Sequence, residues 1–325
     1  MHDGAMQKLK VIYDTDPGVD DAMALLLLAR HPDVDLIGVT TMFGNADIAT
    51  TTRNALFLKQ RFGFAAPVAQ GAGAPLVGEP DAPPTFVHGM NGLGDIMLPA
   101  ITEAADPRHA HQLIIELVRA NPGVVTIIAV GRMTNLERAM REAPDIVPLV
   151  KQIVVMGGAF GRNGHTGNVT PVAEANIWGD PDAADLVFGA AWPVAIAPLD
   201  VTQATIMTEA YLQQLGDTAG SDGAFVRAIS AFYQNFHRES AGLDGFYVHD
   251  SSAVALALHP EFYTTETGAV RVVTEGIAIG QTIIKPDGKN FPPGPWDGRP
   301  SQTIATGVDA EAVLAFYRDT LVGSA

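Results

Sequence analysis

The stretch VIYDTDPGVDDAMALLLLAR, residues 11–30, decides the fold. An apolar lead-in of Val11, Ile12 and Tyr13 meets four acids, Asp14, Asp16, Asp20 and Asp21, and then an apolar run from Ala22 to Ala29. The lead-in reads as a buried strand and the tail as a helix, with Pro17 and Gly18 turning the chain between them. Asp14 and Asp16 lie two residues apart, so they share one face of an extended strand. Proline is favoured at the first helical position, which makes Asp16 the expected N-cap. Asp20 and Asp21 then fall in the first helical turn, where the helix dipole favours negative charge. One or two capping acids would be ordinary. Four like charges at one turn repel or force protonation, unless a cation sits among them. Oxygen-only donors favour Ca²⁺ or Mg²⁺ over zinc.

Working outward, strand-length apolar runs alternate with helical stretches. LKVIYD, VDLIGVTTM, VVTIIAV, QIVVMGG, PVAIAPLD and GAVRVVTEG read as strands. Helices are expected at 20–30, 48–62, 108–120, 134–142, 181–188 and 224–239, with a further one in DSSAVALALH. Strands that are apolar almost throughout suit an open, mostly parallel (mixed) sheet covered by helices on both faces, an α/β architecture. Ligands in such sheets bind beyond the carboxyl ends of the strands. Those ends carry Asp14 and Asp16, Asn45, Thr134, Met156 and Asp200. Two long loops, 71–95 and 284–300, are of a length usually functional or disordered.

The chain has 325 residues, 47% hydrophobic and 17% charged, enough for a large buried core. Its formal net charge of −16, with no block of Lys and Arg, argues against nucleic acid or an anionic membrane as partner. The absence of cysteine excludes disulfides, thiolate metal sites and a cysteine nucleophile. MHDGAMQKLK shows no signal-peptide pattern, and no apolar run is long enough to span a bilayer, so a cytoplasmic location is expected.

A second polar region is VVMGGAFGRNGHTGNVTPVAEANIWGDPDAAD. Asn168, Glu174 and Asn176 offer the amide and carboxylate groups that sugar hydroxyls require, since each hydroxyl both donates and accepts. Asp180 and Asp182 read as helix-capping acids, whereas Glu174 sits in an apolar context that capping does not explain. A third region, YVHDSSAVALAL, pairs His249 with Asp250 at a helix start; a cap alone would explain Asp250, but His249 can titrate near neutrality. His88 lies in a Gly-rich loop, FVHGMNGLGD. His31, His109, His111 and His259 stand beside prolines or on polar faces and read as structural.

With these residues in view, the sequence resembles the inosine–uridine-preferring nucleoside hydrolase family. DTDPGVDDAMAL matches its N-terminal aspartate signature, and TTMFGNADIATTTRNAL, VHGMNGLGD, AVGRMTNLERAM, the Gly-rich segment above and VHDSSAVAL follow in the family's order. The resemblance implies a Rossmann-like nucleoside hydrolase fold in a single domain, 1–325, with mobile active-site segments near 71–99 and 222–250. It implies hydrolysis of the N-glycosidic bond of ribonucleosides to free base and ribose. Ca²⁺ would be held by Asp16, Asp21, Asp250 and the main-chain carbonyl of Thr134. Asp16 would act as general base on a calcium-bound water, with His249 as general acid and His88 also near the leaving base. Asp20, Asn168, Glu174 and Asn176 would grip the ribose, with Asn45 and Met156 lining the pocket. A homodimer or homotetramer and a small-molecule nucleoside partner are further implications. Where some relatives place an aromatic residue between the Glu and Asn of the sugar segment, this chain has Ala175; the late loop with Phe291 and Trp296 is a candidate source of stacking instead.

Two rival readings share some of these features. DTD after an apolar strand also resembles the nucleophile motif of haloacid-dehalogenase-like Mg²⁺-dependent phosphatases, but the acids that follow would repel a phosphate. A calcium-dependent nucleoside or ribose binder without turnover would keep the acids and need no donor histidine.

Overall fold

Alternate residues of the central strands enter two separate cores. Val11 and Tyr13 pack into one and Ile12 into the other; Ile128, Val154 and Met156 share the first core, and Ile127, Ile153 and Val155 the second. Period-two alternation with both sets apolar is what a sheet covered on both faces requires. The computed structural model describes residues 8–323. Its strands are β1 (Leu9–Thr15), β2 (Val34–Thr41), β3 (Val68–Gln70), β4 (Val125–Ala129), β5 (Val150–Met156), β6 (Val194–Ala197), β7 (Ile206–Thr208), β8 (Gly245–Tyr247), β9 (Tyr263–Val272), β10 (Thr282–Pro286) and β11 (Ser301–Val308). Among the described residues, nine of them form one sheet in the order β10-β9-β11-β6-β5-β4-β1-β2-β3, while β7 and β8 pair separately. From β3 through β11 neighbouring strands run parallel; β9 is antiparallel to both β11 and β10. The expected mixed α/β sheet is therefore present.

The order of the strands reverses direction between β1 and β4. Chain order runs outward as β1-β2-β3 on one side and β4-β5-β6 on the other, which opens a crevice at their carboxyl ends. The acids that follow β1 stand at this crevice. The helix Val19–Arg30 behind them is buried from Val19 to Leu28, Asp20 excepted. It is covered in turn by the helix Ala310–Gly323, whose Tyr317 hydroxyl donates to the Met23 carbonyl at 3.2 Å.

Helices also occupy Ile48–Phe62, Ala110–Ala120, Thr134–Glu142, Pro181–Gly189, Gly220–Ala241 and Asp250–Leu258, close to the expected bounds. The helix Gly220–Ala241 contains the one expected at 224–239, and β8 carries the chain on to Asp250–Leu258. Two readings change. Asp200 does not end a strand: β6 stops at Ala197, and Asp200 lies in the helix Leu199–Thr202, where it accepts from the Phe160 and Arg162 amides. Asp16 is not the N-cap of the first long helix; Gly18 holds that position, and the Asp21 carboxylate reaches back to the Gly18 amide at 2.9 Å. Among the described residues, no helix is long and apolar enough to cross a membrane.

Asn135 fastens the acidic strand end to its neighbours. It is fully buried; its side-chain amide donates to Asp14 Oδ1 (2.9 Å) and to the Thr41 carbonyl (3.0 Å), and its oxygen accepts from the Ala72 amide (2.9 Å). One side chain thus joins the ends of β1 and β2 and the segment after β3. Asn135→Ala leaves each of these buried groups short of a partner and is expected to lower the unfolding free energy by about 2–4 kcal/mol. Urea denaturation checks this; a loss below about 1 kcal/mol would show that water or rearrangement replaces the amide.

Candidate active site

Asp21 is the best-satisfied of the acids. Its oxygens accept from the Thr15 hydroxyl (2.5 Å), the Asp16 amide (3.2 Å), the Gly18 amide (2.9 Å) and the Asn45 side-chain amide (2.8 Å). Asp14 is fully buried and is held by Thr40 Oγ1 (2.6 Å) and Asn135 (2.9 Å). Asp16, wholly buried, places Oδ2 against the Asn45 amide (2.8 Å) and Arg132 Nη1 (2.6 Å). Its Oδ1 has no partner, nor does Oδ1 of Asp20. Neither main-chain approach to Asp16 tolerates a side chain: a Cβ on Gly131 would stand 2.5 Å from Oδ1, and one on Gly44 would stand 1.9 Å from Oδ2.

Carboxylate oxygens of Asp20, Asp21 and Asp250 lie within 4.8 Å of one another. Burial pushes all of these acids upward. Asp20 rises to about 8, from burial and then from the charge of Asp21, and Asp14 to about 7 from burial alone. Asp250 is raised well above the carboxylate range by burial and by Asp20, Asp21 and Asp16. Asp16 is raised by burial and Asp21, while Arg132 opposes the rise. A convergent set of oxygens, some buried without a donor and all resisting ionisation, fits a hard divalent cation by its chemistry.

Above the acids opens a cavity of about 540 Å³, within the range of small-molecule sites. Asp20, Asn45, Met156, Asn168, Glu174, Asn176, His88, His249 and Asp250 all line it. Asp16 and Asp21 do not line it but bond to Arg132 and Asn45, which do. Thr134 does not join them: it opens the helix Thr134–Glu142, and its hydroxyl donates to Asp180 at 2.6 Å. Val130, directly after β4, lines the cavity instead, and its carbonyl accepts from the Asn176 side chain at 2.9 Å. Glu174 does act as an N-cap, accepting from the Asn176 and Ile177 amides, and also from the Gly158 amide. Its apolar surroundings had argued against capping, yet the same carboxylate both caps and lines the cavity. Asp180 caps Pro181–Gly189 as expected.

Phe86, Trp178, Tyr233, Phe236, His237 and Tyr247 also wall it, and the Tyr233 hydroxyl donates to Asp20 Oδ2 at 3.5 Å. The late loop supplies none of them; Phe291 is exposed and, like Trp296, lies off the cavity. His237 and Arg132 were not singled out from the sequence, since both lie on otherwise ordinary polar positions; the charged Arg in AVGRMTN beside an acidic site was the readable signal for one of them.

The three cavity histidines differ in what they can offer. His88 Nδ1 accepts from the Val19 amide (3.2 Å), which leaves the proton on Nε2 and makes that atom a donor. The ring stacks on Tyr233 at 5.4 Å. His237 Nδ1 faces the Tyr233 carbonyl (3.0 Å), so Nδ1 carries the proton and Nε2 is an acceptor. His249 Nδ1 meets the Thr202 hydroxyl at 2.8 Å, a contact either atom could donate. Burial draws His88 and His249 down to about 3, so both are neutral imidazoles at neutral pH.

The inosine-uridine preferring nucleoside hydrolase model matches residues 11–315. A probable uridine nucleosidase 1 from Oryza sativa subsp. japonica is 40% identical over 96% of each chain. Among solved structures, a plant nucleoside hydrolase superposes with a TM-score of 0.92 at 38% identity, covering 96% of this chain and 98% of that one. A purine-preferring ribonucleoside hydrolase from Gardnerella vaginalis gives 0.89 at 33% identity, covering 97% and 98%. Sequence, sheet topology and the acid-floored crevice agree, and the chain belongs to the inosine-uridine preferring nucleoside hydrolase family.

Proposed function

We propose that this chain hydrolyses the N-glycosidic bond of ribonucleosides, uridine among them, with calcium as its resident ion. The observation that carries the reading is the convergence of Asp20, Asp21 and Asp250 at a cavity that is also walled by aromatic rings. The uridine nucleosidase name of a relative 40% identical along nearly the whole chain supports the choice of substrate. Asp16, Asp21, Asp250 and the Val130 carbonyl, in place of Thr134, would hold the ion. When bound, such an ion orients a water molecule and lowers its pKa.

Asp16 takes up the proton of the attacking water, with Oδ1 as the free atom, because Oδ2 is committed to Asn45 and Arg132. Asp20, Asn168, Glu174 and Asn176 hold the ribose hydroxyls, with Asn45 and Met156 shaping the pocket. Bond cleavage places positive charge on the ribose ring, and the surrounding carboxylates stabilise it as it develops. The departing base gathers electrons and needs donors. His88 offers Nε2–H outright; His249 offers Nε2–H when Thr202 donates to Nδ1. Both act as neutral hydrogen-bond donors, since burial keeps imidazolium scarce. His237 Nε2, an acceptor, suits the ring N–H of uracil or hypoxanthine.

Incubation with uridine is expected to release ribose, to stop on chelation and to recover with added calcium; a reducing-sugar assay reads this directly. No release from any ribonucleoside in a panel would overturn the reading. Asp16→Asn should then lower kcat by ~10²–10⁴, the usual worth of a general base. In a second comparison, His249→Ala and His88→Ala should each lower kcat on uridine more than on p-nitrophenyl riboside, whose leaving group departs without a donor. Equal losses on both substrates would remove the histidines from the leaving-group role.

Stability should carry the same signature. Acids with raised folded pKa values, Asp14 and Asp20 foremost, contribute stability that is present below about pH 4 and lost as pH climbs through about 7–8. The depressed histidines act oppositely, but only between about pH 3 and 6.5. Above that window the acids act alone. Chelated protein should melt at a lower temperature at pH 8.5 than at 6.5, and calcium should raise Tm more at the higher pH. A Tm that holds or rises over this interval without metal would contradict the buried-acid account.

A further inference from the structure

Arg132 is a cation built into a site that is otherwise acidic. Among the described residues, it is the one Lys or Arg lining the cavity. Its Nη1 lies 2.6 Å from Asp16 Oδ2 and 3.4 Å from Asn176 Oδ1, and its guanidinium carbon stands 5.9 Å from the centre of the Phe43 ring. Two glycines make room for it. A Cβ on Gly44 would come within 2.2 Å of Nη1, and one on Gly179 within 2.3 Å of Nε. Nε itself is buried without a partner, so the side chain is placed for the contact with Asp16 rather than for the best set of bonds. Walled in by Phe43, Gly44 and Gly179, the guanidinium has little space to retreat when another positive charge arrives.

We propose that Arg132 is an internal counter-cation of Asp16, a positioning residue that keeps the acidic floor assembled without a divalent ion and weakens the hold on that ion when it binds. The inference rests on the calcium reading above. Its physical basis is ordinary electrostatics: a fixed positive charge a few ångströms from a bound cation opposes it, and the low-dielectric surroundings strengthen that opposition. At the same time Arg132 and the Asn45 amide occupy Oδ2 of Asp16, which leaves Oδ1 as its one oxygen without a partner. Removing the guanidinium leaves Oδ2 with the Asn45 amide alone and Asp16 without a compensating charge, a state a divalent ion relieves. A side chain that merely supported the fold would act in the reverse sense, because its loss would loosen the ligands and lower affinity.

The test is the calcium dissociation constant of wild type, Arg132→Met and Arg132→Lys, measured from the loaded proteins by competition with a fluorescent calcium chelator. Starting from loaded protein gives a reading even where the stripped variant unfolds. Arg132→Met should hold calcium at least about tenfold more tightly than wild type, and Arg132→Lys, which keeps the charge, should stay within about threefold of it. Unchanged or weaker binding by Arg132→Met overturns the proposal, as does equal tightening in Arg132→Lys. Wild type that takes up no calcium at all overturns the metal reading itself.

Discussion

Like charge packed against an apolar core is the constraint on which this structure turns. Asp14 and Asp16 come from the end of β1 and the turn after it, Asp20 and Asp21 from the first turn of a helix buried along most of its length, and Asp250 from the start of another helix. Much of the surrounding structure supplies donors to these acids. Thr15, Gly18 and Asn45 serve Asp21, Thr40 and Asn135 serve Asp14, and Asn45 with Arg132 serves Asp16. What those donors leave unserved is as informative as what they reach. Oδ1 of Asp16 and Oδ1 of Asp20 stay buried without a partner, as does Oδ2 of Asp14, so three of the clustered acids each keep one oxygen unserved.

The sheet was legible because its strands are apolar on both faces, and the strand-end rule located the crevice once β1 and β4 were recognised. β11 escaped notice because Ser301, Thr303, Thr306 and Gly307 break its apolar run; partners on both sides, β6 and β9, make it a strand. The helix Ala310–Gly323 went unread although Asp309 precedes it and accepts from the Ala312 amide. Within the site, residue types were readable and their partners were not. That Arg132 meets Asp16 across 116 positions of sequence, or that Val130 rather than Thr134 turns toward the cavity, depends on how the turn after β4 settles on its neighbours.

The histidines show how the backbone can set chemistry. A main-chain amide determines which nitrogen of His88 holds the proton, and a main-chain carbonyl determines it for His237, with opposite results. Two rings of one residue type, both against Tyr233, therefore present a donor and an acceptor. Complementarity to a nucleobase edge, which alternates such groups, then needs no charged side chain among these rings.

Glu174 joins a short helix to the cavity wall through one carboxylate that answers three amides. A glutamine there would bring a second nitrogen against those N–H groups, and an aspartate would fall short of them. Any change in the groups presented at this wall would therefore have to rebuild the turn that carries Asn176 along with the contact itself.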